Sequence, residues 1–288
     1  MEAMHWDRRP KLRRPALVCS FKGWNDAAES ATTALGFVAS RWGAERFGAI
    51  DPEEFFDFQV TRPTVRLTEG VTRVIEWPEL ELSSAHPDEG QRDIVFLTGS
   101  EPNLRWKTFS ATVVDVAREL GVDMVVSLGA LLADVPHTRP VQITGIAADA
   151  KLSERLGFTA TRYEGPTGIV GVVQDAATKA GMLAASLWAP VPHYVATVPS
   201  PKATLALLGR LQDLLEVPID MTDLEEAAVD YERRLDEAVA SEPEVRMLVE
   251  RLERQMDDED ISFRNLPSGD SIAREFERFL KEQGEEDR

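Results

Sequence analysis

Five short polar clusters bring together the residues of this chain that are equipped for chemistry. They are KGWND at 22–26, GSEPNLRW at 99–106, GALLADVPHTRP at 129–140, YEGPTG at 163–168 and PHY at 192–194. Glu101 and Arg105 are spaced to pair across a turn; alternatively, Arg105 turns its guanidinium to a carboxylate or phosphate and holds it by two parallel hydrogen bonds. His137, Thr138 and Arg139 put a base, a hydroxyl and a cation in succession, a set suited to binding an anion and moving a proton. The plainer reading has His137 donating to a backbone carbonyl. Ser100 follows a glycine, but GSEP lacks the second glycine of the G-x-S-x-G elbow, so it is poor evidence for a hydrolytic nucleophile. The candidate pocket is Gly23, Asn25, Asp26, Ser100, Glu101, Arg105, His137, Thr138, Arg139, Glu164 and Thr167. Trp24, Trp106 and Trp188 either line it or pack in the core and at subunit contacts. One cysteine, Cys19, and four scattered histidines provide neither a disulfide nor metal-ligand spacing, so no metal or cofactor is implied.

The elements that position these clusters are legible from apolar runs and their stops. Ala16–Phe21 (ALVCSF), Ile94–Thr98 (IVFLT) and Met124–Leu128 (MVVSL) read as buried strands, each ending at a cluster. Phe47–Ile50, Val141–Ala147 and Tyr194–Val198 read as further strands, and residues 182–188 are ambiguous. Helices are expected over Ala27–Trp42, capped by Asn25 or Asp26, and over Thr108–Leu120, stopped by Gly121. Others are expected over Ala150–Leu156, Ile169–Ala180 and Pro201–Leu215, the last with its leucines on one face. Residues 59–77 read instead as a hairpin turning at Glu69-Gly70. Near-continuous apolar strands alternating with helices predict an α/β fold with a mostly parallel sheet covered on both faces, the hairpin being an antiparallel excursion. In such a sheet, ligands bind beyond the carboxyl ends of the strands, where the five clusters lie; taken singly, each cluster also reads as an ordinary loop. Neither a Gly-x-Gly-x-x-Gly nor a P-loop is present.

Charge is unevenly spread. The chain of 288 residues carries 32 basic and 50 acidic side chains, a net −18, and a field of that sign opposes nucleic acid and anionic lipid. Residues 222–288 hold 22 acidic and 10 basic side chains, so −12 of the −18 lies there and −6 in the rest. With the scarcity of Gly and Pro, this predicts three parts: a flexible segment 1–14, an α/β domain 15–220, and an acidic helical appendage 221–288. The appendage reads as three amphipathic helices. The first opens on a Thr222/Glu225 capping box, the second runs from Pro243 to the acidic stretch at 257–260, and the third spans 268–281. Residues 1–14 lack the apolar core of a signal peptide and no apolar run reaches membrane-spanning length, so a cytoplasmic protein is expected.

GWNDAA at 23–28, GSEPNLRW, LGALLADVPHTRP at 128–140, YEGPTG and VPHYVA at 191–196, in that order over residues 15–215, resemble the proteasome assembly chaperone family in its bacterial branch of uncharacterised proteins. None of these is a catalytic signature. The resemblance implies a three-layer α/β/α domain similar to nucleoside phosphorylases and related hydrolases, with a helical C-terminal addition, and self-association, the bacterial relatives being similar to homotrimers. It also implies a proteasome-related partner, since eukaryotic and archaeal relatives bind proteasome α subunits. Some of these dock through a hydrophobic-Tyr-any residue tail, which the closing GEEDR here does not match.

Two readings follow. The first is a non-catalytic, oligomeric binding or assembly protein whose acidic helices engage a protein partner. The alternative is an enzyme hydrolysing or phosphorolysing a small anionic compound in the strand-end crevice with His137, Arg139, Arg105 and Asp26. A catalytic reading requires a nucleophile or base held by a second group.

Overall fold

A computed structural model describes residues 3–68, 72–147, 150–155 and 164–264. In chain order the elements are β1 (Met4–Trp6), β2 (Ala16–Lys22), α1 (Ser30–Arg41), β3 (Glu45–Ile50), β4 (Thr64–Thr68), β5 (Thr72–Glu76), β6 (Leu80–Ala85), β7 (Ile94–Ser100) and α2 (Trp106–Glu119). Then follow β8 (Met124–Ala133), β9 (Thr144–Ala147), α3 (Ala150–Arg155), α4 (Ile169–Lys179), β10 (Leu183–Pro192), α5 (Pro201–Leu215), α6 (Thr222–Ser241) and α7 (Pro243–Arg264).

Eight strands form one sheet in the order β1-β3-β6-β7-β2-β8-β10-β9. Its centre, β7-β2-β8-β10, is parallel, while β9 at one edge and β6, β3 and β1 at the other run antiparallel to their neighbours. The antiparallel share is thus larger than a single excursion. The expected α/β class and covered central sheet stand. β2 shows why: successive side chains alternate between two buried faces. Ala16 and Val18 join Leu35 and Val38 of α1 and Leu207 and Leu211 of α5 in one core; Leu17, Cys19 and Phe21 join Phe109 and Val113 of α2 and Ile169 and Val173 of α4 in the other. Two helical layers therefore sandwich the sheet. Burial pushes the Cys19 thiol up to about 12, which leaves it a small apolar side chain at neutral pH.

Several expectations change. Met4–Trp6, placed in the flexible segment, pairs with β3, and Trp6 stacks on Phe47 at 5.8 Å. From Leu183 on, the ambiguous stretch at 182–188 belongs to the ten-residue strand β10, whereas Tyr194 and Val195, read as the start of a strand, lie in a 3-10 turn over His193–Val195. Pro192 ends the ladder there, since it has no N–H to donate. The hairpin forms, as a separate two-stranded sheet of β4 and β5; its turn at 69–71 lies outside the described residues.

The chain divides into two compact units, Met1–Ala238 and Val239–Arg288. The division falls in the last turn of α6 instead of at the compositional break near residue 220. α6 keeps Leu224, Ala228 and Tyr231 buried, Leu224 within the α1/α5 core. Its N-terminus is held by Asp220, whose carboxylate accepts from the Thr222 N–H and hydroxyl; no Thr222/Glu225 capping box is needed. These bonds hold the Asp220 carboxyl below its ordinary range, with help from Arg41. In the second unit, α7 runs on past the acidic stretch expected to end it, and Val249 and Leu252 are buried on one face. The third expected helix lies outside the described residues. No helix among the described residues is long and apolar enough to cross a membrane.

Candidate functional site

The loop that leaves β2 is built around close approaches. Gly23 has φ +136°, a conformation that favours glycine, and a Cβ there would lie 3.2 Å from that of Glu101. Beyond the exposed Trp24, the Asn25 carbonyl accepts from the Ala130 N–H at 2.7 Å, which fastens the loop to β8. Asn25 itself is buried, and its Nδ2 donates to Glu101 Oε1 at 2.7 Å. That same oxygen accepts from the Ile169 N–H at 2.8 Å, at the start of α4. The Glu101 N–H in turn donates to the Lys22 carbonyl at 2.8 Å. One carboxylate therefore joins the ends of β2 and β7 to the first turn of α4, where a negative charge suits the helix dipole. Gly168 makes room for this: a Cβ on it would fall 2.1 Å from Asn25 Oδ1.

Asp26 serves the other side of the loop. Its Oδ1 accepts from the Ala31 N–H at 2.8 Å and the Thr32 N–H at 3.2 Å, and its Oδ2 from the Thr32 hydroxyl. This is the expected cap of α1, reached across a 3-10 turn. Burial raises the Asp26 pKa, and the three hydrogen bonds oppose that rise. Ala28 and Glu29 between them carry φ of 52° and 51°, consecutive left-handed non-glycine residues of the kind that accumulates at binding sites.

These loops wall a cavity of about 810 Å³ beyond the ends of β2, β8 and β10. Trp24, Leu131, Leu132 and Trp188 give it an apolar lining, and Asp26 and Thr167 contribute polar groups. Trp188 lies against Gly129, where a Cβ would sit 2.7 Å from its ring. The sequence pattern singled out Gly23, Asp26 and Thr167 of the lining, and offered a pocket as one role for Trp24 and Trp188; it missed Thr144, Gln174 and Ser186, which carry no local signal.

The remaining candidates go elsewhere. Arg105 is exposed, starts α2 and pairs with Glu54, so the expected Glu101–Arg105 pair does not form. Ser100 is the last residue of β7, beside Lys22, and Glu164 is exposed in the loop before α4. His137 is buried in a second cluster. Its N–H donates to Tyr194 Oη at 2.8 Å, its Nδ1 lies 2.8 Å from the same hydroxyl, and its Nε2 is 3.1 Å from Asp236 Oδ1 on α6. Its carbonyl accepts from Lys202 Nζ of α5, which also pairs with Glu232 of α6 at 2.8 Å. Thr138 and Arg139 follow in the loop between β8 and β9, half-buried, and do not line the cavity. Asp26, Arg105 and His137 are thus not brought into one site.

Residues 20–239 match the PAC2 family. The chain belongs to the PAC2 family. A crystal structure of a PAC2 family protein from Streptomyces avermitilis is 48% identical, aligned over 82% of this chain and 99% of that one, with a TM-score of 0.76. A proteasome-assembly chaperone homologue from Mycobacterium tuberculosis is 46% identical over 81% and 99% of the two chains, also at 0.76. At 17% identity, the fold is shared with an archaeal proteasome activator from Pyrococcus furiosus, at a TM-score of 0.67. No curated protein matches the sequence. The PAC2 match ends at 239, beside the division in α6, so α6 is part of the family's region. The resemblance read from the five clusters is therefore a family relationship.

Proposed function

We propose that this PAC2 protein is an oligomeric assembly factor that acts on proteasome-related proteins, binding partners without transforming a substrate. The observation that carries the reading is the 46% identity, across nearly the whole of that chain, to a proteasome-assembly chaperone homologue. The side-chain chemistry agrees with it. Glu101 and His137, the groups best suited to acid–base work, are committed to holding α4 and α6 in place. The enzymatic alternative required Arg105 and His137 beside Asp26, and gains no support from where they lie.

Self-association is supported by the hairpin. Every residue of β4 and β5 is exposed, and Val65, Leu67 and Ile75 fall on one face of the pair. A two-stranded sheet alone is barely stable in water. We therefore assign that face to a second copy of the chain, in a homotrimer acting in the cytoplasm.

The test is native mass spectrometry of the purified full-length protein, alone and mixed with proteasome α subunits from the same organism. A trimer that binds those subunits with a fixed stoichiometry is expected. A monomer would remove the oligomer, and a trimer indifferent to the subunits would remove the partner. The double substitution Val65→Glu/Ile75→Glu should give monomers that still melt in one cooperative transition, below the temperature of the trimer because association stabilises the folded chain.

A further inference from the structure

We infer that the cavity beyond β2, β8 and β10 binds a small aromatic amine: a planar apolar body with a neutral or cationic nitrogen head, and no carboxylate or phosphate. This goes beyond the assembly reading and does not depend on it. At about 810 Å³ the cavity lies within the range of about 300–1,000 Å³ usual for small-molecule sites. Two indoles, Trp24 and Trp188, stand in its wall with Leu131 and Leu132, and those two leucines remain 43% and 50% exposed. A flat apolar ring fits such walls, and an amine on it gains from the indole faces as well.

The sign of the head follows from charge. Among the described lining residues the one ionisable group is Asp26. The nearby N-terminus of α4, which would otherwise attract an anion, already receives the Glu101 carboxylate on the Ile169 N–H. Arg105, the cation expected to hold an anion, is paired with Glu54 outside the cavity. An anionic head would therefore meet Asp26 with no described cation in the lining, whereas a donor would meet a lining carboxylate as a further partner beside Ala31 and Thr32. Gln174 supplies a second acceptor: its Nε2 is committed to the Ile146 carbonyl at 3.0 Å, which leaves its Oε1 for the ligand.

Three probes that share one ring separate the possibilities: tryptamine, indole and indole-3-acetate, each titrated into the full-length protein by calorimetry and by ligand-observed NMR. Tryptamine is expected to bind about tenfold more tightly than indole-3-acetate, a ratio within reach of one cation–π contact and one partly buried charge pair, with indole between them. Asp26→Asn should narrow the gap between tryptamine and indole. Because Asp26 also caps α1, Thr144→Trp provides an independent check. Thr144 is exposed on the edge strand β9 and lines the cavity, so the substitution narrows the cavity from that edge without touching the core. It should weaken binding of all three probes at an unchanged melting temperature. Equal or tighter binding of indole-3-acetate, absence of saturable binding by any probe, or undiminished binding to Thr144→Trp would each overturn the assignment.

Discussion

Two buried polar knots hold this molecule together, and they differ in what they leave over. At the cavity, Glu101 gathers Asn25, Ile169 and, through its own backbone, Lys22; nearly all its partners are main-chain or buried groups. Around His137 the partners are side chains, Tyr194 from the 3-10 turn after β10, Lys202 on α5 and Asp236 on α6, and Asp236 is 60% exposed. The first knot fixes loop geometry and shapes a cavity wall. The second braces a helix. Buried groups lose their only partners when such a knot is cut, while solvent replaces an exposed partner at little cost, so equal numbers of hydrogen bonds have unequal value.

The largest effect expected from this contrast concerns α6. A chain ending at Asp220 removes the buried Leu224, Ala228 and Tyr231 together with the Asp236 side of the His137 knot. Leu224 alone is worth about 1.5–3 kcal/mol, against a total of about 5–15 kcal/mol for a typical protein. Such a chain should aggregate or melt without cooperativity, whereas one ending at Ser241 should show a single transition in calorimetry. Equal behaviour of the two would mean that α6 adds nothing to the fold.

Next comes the cavity knot. Gly168→Ala drives a methyl group into Asn25 Oδ1 and should cost about 1–3 kcal/mol in urea denaturation. In an Asn25→Ala background the same change should cost much less, and a strictly additive pair would show that the two do not touch. Glu101→Ala, which strands the buried Asn25 amide and the Ile169 N–H, should also cost about 1–3 kcal/mol. His137→Phe should cost less, about 1 kcal/mol, because water takes over Asp236. A larger loss from His137→Phe than from Glu101→Ala would invert the ranking.

The smallest effect is a pH dependence. The folded Asp26 pKa is raised, so its neutral form is the one the fold prefers. Its contribution is fully present below the unfolded carboxyl value and is lost as pH rises through the folded value. Stability of the wild type relative to Asp26→Asn should therefore fall as pH rises through the interval just above 3.8. A difference that grows with pH there would show the carboxylate to be favoured in the fold.

How far the sequence disclosed this depended on the range of the forces involved. Pro201–Leu215 and the run ALVCSF declared a helix and a strand because one face or both are apolar along a short window. The Asp26 cap was legible because a cap acts within six residues. β6 (LELSSA) was not, since Ser83 and Ser84 are buried there against the usual alternation. The partners of His137 were beyond reach: Asp236 lies 99 residues away, and no local pattern ties the two. The cavity was half visible. Its loops stood out as clusters, while Gln174 and Ser186 sit in a helix and a strand whose patterns concern packing alone.

The fit of Trp188 over Gly129, and of Asn25 over Gly168, also bears on descent. In each pair one residue occupies the volume that a side chain on the other would need. Neither position of a pair is at liberty to drift by itself, because an enlargement at the glycine must wait for a reduction at its mate. Relatives with a bulkier residue at 129 should have a smaller one at 188, and those with a side chain at 168 should have given up the asparagine. The same two couplets would then record, in the branching of the family, when the cavity changed its shape.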